Sequence, residues 1–193
     1  MAVCRGPAGW GKAMFATGLI SFLVLTLAQI PPLSGFPDLS THKEIKTEIE
    51  INASADTVWR TLTNFPAYDI WNPYIYPAAG EAVAGRQLDL TLRGGTVIHF
   101  HPTVFVAKPD QELSWGGKVP LGAVQREVTF TIESLEPHRV HFVAVERFRG
   151  ILLPLASGVT GDSAAGLKQM AKALRNRAEL LDYSLPSNPV LHR

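Results

Sequence analysis

Residues Asn52 to Tyr76 read NASADTVWRTLTNFPAYDIWNPYIY, and this stretch decides the fold. An alternating strand stops at Asn52, and Ser54 stands where a helix N-cap belongs, able to accept a bond from a free first-turn N–H. Val58, Leu62 and Phe65 then recur at helical spacing with Trp59 beside them, which predicts one inward apolar stripe. Pro66 is expected to end that helix because it cannot continue the hydrogen-bond ladder. A second short helix, about Ala67 to Trp71, is stopped by Asn72-Pro73. Two helices this short cannot bury their own faces. They need a sheet.

Period-two alternation supplies it. Ile45, Thr47, Ile49 and Ile51 share one face, while Lys46, Glu48 and Glu50 share the other. Gln87 to Arg93 repeats the pattern, and Gly94-Gly95 makes a tight turn. Val97 to Lys108 reads as one longer strand interrupted at Pro102, where a bulge or an edge is expected. Glu112 to Trp115 is a short strand, followed by a loop from Gly116 to Gly122. In the last two strands Arg126, Val128, Phe130 and Ile132 share a face, as do Val140, Phe142, Ala144, Glu146 and Phe148. A hairpin centred near residue 136 would set Ile132 opposite Val140, Phe130 opposite Phe142, Val128 opposite Ala144 and Arg126 opposite Glu146. Two opposite charges then sit on an otherwise apolar face.

Gly150 to Gly161 is an apolar loop containing Ile151, Leu152, Leu153 and Leu155. Those leucines suit a gate over a pocket, a packed lid or a membrane-touching patch. Asp162 or Ser163 is expected to cap a long closing helix, with Ala164, Leu167, Met170, Ala171, Leu174, Ala178 and Leu181 on its apolar stripe. The order is thus one strand, two short helices, about six further strands and a long helix. The fold class is α+β, with a curved antiparallel sheet of about seven strands around the C-terminal helix. A curled sheet that cannot touch the helix everywhere should leave an elongated apolar pocket.

The chain has 193 residues, of which 46% are hydrophobic and 18% charged, with a net charge of +1. This is the composition of one globular domain with a real core. No basic block is present, so nucleic acid is not expected as a partner. A single cysteine, Cys4, leaves no intrachain disulfide and no cysteine metal site.

Arg5 and Lys12 precede an uncharged run from Ala13 to Ile30. Its length, at ~1.5 Å per residue, gives roughly 27 Å, just enough for a hydrocarbon core. Residues 1–30 therefore read as an anchor, or as a signal peptide cut after Ala28. Either places the domain across the membrane from Arg5 and Lys12, so the protein is expected to be membrane-bound or secreted. Residues 31–42 read as a linker, 43–182 as the domain and 183–193 as a tail.

Four stretches carry a family resemblance. They are Ala55-Asp56-Thr57-Val58-Trp59, Trp71-Asn72-Pro73, Leu113-Ser114-Trp115 and Glu146-Arg147-Phe148-Arg149-Gly150, joined by a closing helix that runs to Arg177-Ala178-Glu179. Together they resemble the helix-grip fold of the START and birch-pollen-allergen (SRPBCC) superfamily, in its polyketide cyclase/dehydrase and lipid-transport branch. The resemblance spans about residues 43 to 182 and implies a hydrophobic small molecule or lipid held in an internal pocket. Cyclase or dehydratase chemistry, or a protein adaptor of the chaperone-cofactor kind, are the alternatives on the same scaffold.

On that reading the aromatic lining is Trp71, Tyr74, Phe100, Trp115, Phe130, Phe142 and Phe148. Met170 and Leu174 face them from the helix, and Arg126 and Glu146 either orient a ligand or pair with each other. Trp71 could equally plug the end of the sheet. No nucleophile with its base, nucleotide loop, cofactor motif or metal cluster appears. His99 and His101 share a strand face, but Ile98 and Phe100 claim the inner side, so both histidines are expected in solvent. Asn52-Ala53-Ser54 has the form of a glycosylation sequon, although a strand-to-helix turn already explains both polar residues.

Overall fold

Ser54 does cap the first helix. β1 (His42–Ile51) ends beside it, and the Thr57 N–H donates to the Ser54 hydroxyl at the start of α1 (Ala55–Thr63). Val58 and Leu62 are fully buried on the expected stripe. The helix stops at Asn64, short of Pro66. A 3-10 turn, Phe65–Ala67, takes up the proline and leads into α2 (Tyr68–Trp71). The proline thus sits in the first turn of a new element, where its missing N–H costs nothing. The computed structural model describes residues 42–118, 124–150 and 157–184, all within one compact unit, Asp38–Arg193. The Ala13–Ile30 run, most of the linker, the Ile151–Leu155 loop and residues 185–193 lie outside the described residues. Among the described residues, no helix is long and apolar enough to cross a membrane.

Seven more strands follow: β2 (Ile75–Ala79), β3 (Asp89–Arg93), β4 (Val97–Phe100), β5 (Thr103–Lys108), β6 (Glu112–Lys118), β7 (Gln125–Glu136) and β8 (Arg139–Arg149). Eight strands are described where about seven were expected. Two features raise the count: β2, which Pro77 hides from an alternation count, and a division of the Val97–Lys108 stretch. The curved antiparallel sheet is broken in two, with order β1-β8-β7-β6-β5 in one part and β2-β3-β4 in the other. The break falls at His101-Pro102, so Val97–Lys108 is two strands in different sheets rather than one interrupted strand. A proline cannot donate to a ladder, and here the ladder ends. The two parts stay in touch because the Leu88 N–H donates to the Pro102 carbonyl at 2.8 Å and the Val104 N–H to the Arg86 carbonyl at 2.8 Å.

The β7–β8 hairpin keeps its predicted faces but not its predicted register. Ile132 lies opposite Phe142, Phe130 opposite Ala144, Val128 opposite Glu146 and Arg126 opposite Phe148. The shift is two residues, because Glu136 pairs with Arg139 across a tight Pro137-His138 turn and an irregularity lies between Ser134 and Glu136. A shift of two preserves which side each residue faces, whereas a shift of one would not.

Gly116 and Gly117 belong to β6 rather than to a loop. A Cβ on Gly116 would stand 2.7 Å from the Phe105 ring and 2.8 Å from the Arg126 carbonyl oxygen. Only glycine lets the strands close there.

The closing helix α3 runs Ser157–Ser184, so Asp162 lies inside it rather than at its cap. Leu167, Met170, Ala171, Leu174 and Ala178 are buried as expected, but Ser163 takes the inward place assigned to Ala164, which is exposed. The helix packs on β1, β8, α1 and α2. Between it and the sheet the aromatic rings touch in sequence. Phe65 meets Trp115 at 5.9 Å, Trp115 meets Phe130 at 4.9 Å, and Phe130 stacks on Phe142 at 5.9 Å.

Asp182, near the end of the helix, is tied down. Asp182 accepts from the Ser54 N–H at 3.2 Å, from the Ser54 and Thr57 hydroxyls at 2.9 and 2.7 Å, and from His138 Nδ1 at 2.7 Å. Burial pushes its carboxyl up, but the donors Thr57, His138 and Ser54 outweigh that and hold it at about 2, below the ordinary 3.8. A depressed folded value stabilises above the unfolded one, and that contribution fades as pH falls from about 4 towards 2. Asp182→Ala is therefore expected to lose about 1 kcal/mol near neutral pH, the full shift being discounted for solvent screening. In urea unfolding at several pH values, the gap from the parent should close on acidification.

Candidate functional site

Four elements bring one polar group each to the same buried place. β7 contributes Arg126 and β8 contributes Glu146, diagonal neighbours on the inward face whose long side chains meet across the register. The segment after α2 contributes Tyr74, and α3 contributes Ser163. Arg126 Nε donates to Glu146 Oε1 in a buried ion pair. Arg126 Nη2 donates to the Tyr74 hydroxyl at 3.2 Å, and that hydroxyl lies 3.0 Å from the Ser163 hydroxyl. The guanidinium is 5.5 Å from the Phe100 ring centroid and 5.9 Å from that of Tyr74, within cation–π range.

Burial alone would lower the Arg126 pKa, but the Glu146 charge beside it raises it above the usual arginine value, so Arg126 stays a fixed cation. Burial, first of all, raises the Tyr74 phenol, so Tyr74 remains a neutral donor and acceptor. Glu146 Oε2 is buried and has no hydrogen-bond partner among the described residues. A buried carboxylate oxygen left without a donor costs free energy, and such atoms are uncommon.

Asn72 sets the place of Tyr74. Its side-chain oxygen accepts from the backbone N–H groups of Tyr74 and Ile75, both at 3.0 Å. Gly166 then makes room, since a Cβ there would overlap the Tyr74 ring. Alanine normally gains roughly 1 kcal/mol over glycine inside a helix. Gly166→Ala is expected to lose about 1–3 kcal/mol instead, because the ring must move. A thermal melt, with tyrosine absorbance as the local readout, checks this.

Tyr74, Arg126 and Ser163 line a cavity of about 20 Å³ with Leu92, Gly94, Thr96, Ile98 and Asp162. That is room for one water. Its outer wall is the β3–β4 turn, where the Gly95 N–H donates to Asp162 Oδ2 at 2.9 Å and holds the turn against α3. Among the described residues, this small cavity stands where an elongated apolar pocket was expected. Trp115, Phe130, Phe142, Phe148, Met170 and Leu174 are all buried in the core and fill the trough themselves.

Of the residues expected to bind a ligand, Tyr74, Phe100, Arg126 and Glu146 come together, and the six just named form the wall behind them. Trp71 does not join them. It is half-buried, lies edge-on to Tyr68 at 4.9 Å, and lines a separate groove between α1, α2 and the end of α3. Sequence reasoning missed Ser163 as a site residue. Its signal was present, since 163, 167, 170 and 174 follow one helical stripe. Leu92, Ile98, Thr96 and Asp162 become neighbours only through the β3–β4 turn. His99 and His101 are both exposed. His99 Nδ1 lies 3.2 Å from the Thr91 hydroxyl, and His101 Nδ1 lies 3.5 Å from Asp89.

A family model described as polyketide cyclase / dehydrase and lipid transport matches residues 42–175. The chain belongs to that family. Solved structures similar to this family member carry START-like folds. One is a START superfamily protein from Mycobacterium smegmatis, at 26% identity and a TM-score of 0.57, covering 72% of this chain and 98% of that one. The Zhui aromatase/cyclase from Streptomyces sp. R1128 aligns at 15% identity and a TM-score of 0.57, over 72% of this chain and 94% of its own. A norcoclaurine synthase from Thalictrum flavum aligns at 16% identity and a TM-score of 0.56, over 71% and 94%. At those identities the two enzymes share the fold with this family member. No curated protein matches the chain.

Proposed function

We propose that this protein binds a small, largely apolar molecule whose one polar group is held by the Arg126, Tyr74 and Ser163 cluster. The observation that carries this reading is the buried Arg126–Glu146 pair, with Glu146 Oε2 unpartnered and Arg126 reaching the cavity. Apolar residues of similar volume would pack such a place at no greater cost, so a buried pair needs a reason besides stability. A donor on the ligand would satisfy the orphan oxygen. Entry requires the β3–β4 turn to part from Asp162, a single hydrogen bond at an exposed edge. The family's lipid-transport description supports an apolar ligand. The uncharged run 13–30 supports a protein held at a membrane.

Two neighbours are enzymes by name. An enzyme of that kind would need Arg126 or Glu146 free, and here each neutralises the other. The filled described interior favours a second reading, a protein adaptor that uses the fold's outer surface.

Fluorescence of 8-anilinonaphthalene-1-sulfonate with the full chain separates the carrier from the adaptor. The carrier reading expects bound-dye emission that Ile98→Trp, which plugs the cavity wall, abolishes. Emission unchanged by that substitution would remove the interior from consideration.

A further inference from the structure

We infer that the groove between α1, α2 and the last turns of α3 receives the phosphate of an anionic phospholipid headgroup, so that this end of the domain docks on a bilayer. The inference is independent of the Arg126 cluster. The two places lie at opposite ends of α3, since Ser163 borders one and Leu181 the other, roughly 27 Å apart along the helix.

The groove has a volume of about 300 Å³, and its walls include Arg60, Asn64, Trp71, Arg177, Leu181 and Ser184. Among the described residues, two guanidiniums line it and no carboxylate does. The nearby acids among those residues are accounted for. Asp56 holds one edge of Arg60 at 2.6 Å, which leaves the rest of that fork available. Asp182, although next to Leu181, is turned into Ser54, Thr57 and His138. Glu179 accepts from Asn52 at 2.9 Å, and Asp69 is exposed on α2 outside the groove. Arg177 is half-buried and makes no ion pair or hydrogen bond among the described residues. A partly desolvated guanidinium sharing one groove with an indole and a second guanidinium suits a phosphate's several acceptor oxygens.

What points to a bilayer rather than a soluble anion is the rim. Ile70, next to Trp71, is 69% exposed, and Leu180 is 61% exposed. Leu180 shares the outer face of α3 with Arg177 and Ser184, three and four residues away. Tyr183, beside Ser184, is 92% exposed. Large apolar and aromatic tips standing around a cationic hollow suit the headgroup boundary. The tips reach the acyl region while the guanidiniums stay at phosphate depth.

The test uses the full chain with Cys4→Ser and Tyr183→Cys, labelled at residue 183 with an environment-sensitive dye. The label reports on the rim whatever residues 13–30 do. It is expected to shift to the blue on vesicles containing phosphatidylglycerol and not on phosphatidylcholine alone. The shifted fraction should fall about fivefold for each of Arg60→Gln and Arg177→Gln, and fall again as salt rises. An equal shift on both vesicle types, or Arg177→Gln without effect, would overturn the inference. So would inorganic phosphate at modest concentration erasing the shift, since that marks a soluble-anion site. Dye binding at the Arg126 cavity should not respond to Arg177→Gln, which keeps failure here distinct from failure of the carrier reading.

Discussion

Arg126→Ala is expected to cost this protein about 3–5 kcal/mol of folding stability, the penalty of leaving a buried carboxylate without its partner. Arg126 is 3% exposed and Glu146 fully buried. The same substitution at Arg147, two positions before Arg149 on the same hairpin, should cost under about 1 kcal/mol. Arg147 also sits in an ion pair, with its Nε 2.8 Å from Glu44 Oε2, but both side chains are about half in water. Distance alone would rank the two pairs together, and desolvation separates them. Replacing both buried partners, as Arg126→Met with Glu146→Leu, should recover most of the loss because no charge is then stranded. Guanidinium unfolding of the three variants checks the ranking. Equal and small losses would mean the pair is wetter than its burial indicates.

Trp115→Ala is expected to be as damaging, at about 3–5 kcal/mol. Its ring is 1% exposed and wedged between Phe65 and Phe130. Removing it leaves a gap that neighbours on two strands and a 3-10 turn cannot all close at once. Trp71→Ala, which empties part of a surface groove, should cost clearly less. Because the lining left behind is aromatic and dry, the Trp115→Ala protein should also bind benzene or xenon, which the parent should not. Two tryptophan variants of equal stability in urea would contradict the packing described for the trough.

These two effects fall on residues whose burial was legible in the sequence. Alternation put Arg126 and Glu146 on one inward face, and a face assignment survives any register error of two. The register itself was not legible, because it depends on whether Pro137-His138 or a wider loop makes the turn. β2 escaped detection for a related reason. Pro77 interrupts it and its register slips between Ile75 and Ala78, so no clean alternation announces the strand. The split at Pro102 was visible as an interruption, but a proline marks the end of a ladder without saying which sheet the next residues join.

The candidate site divides the same way. Tyr74 and Phe100 could be named because apolar faces converge on them, and Ser163 should have been, from its spacing with Leu167. Asp162 and Thr96 are brought together by a turn folding onto a helix far along the chain, which periodicity does not encode. How much space would remain was beyond the sequence as well. Side-chain volumes decide it, and the large rings of Trp115, Phe130 and Phe142 left about 20 Å³ beside Arg126.

The most direct test of a polar-headed apolar ligand at this cluster is native mass spectrometry of the full chain after mild purification. The same measurement on the Arg126→Met, Glu146→Leu protein is the control. A bound apolar species on the parent, absent from the double variant while the fold persists, is the predicted result. A bare chain in both spectra, or the same species retained by the double variant, would contradict it.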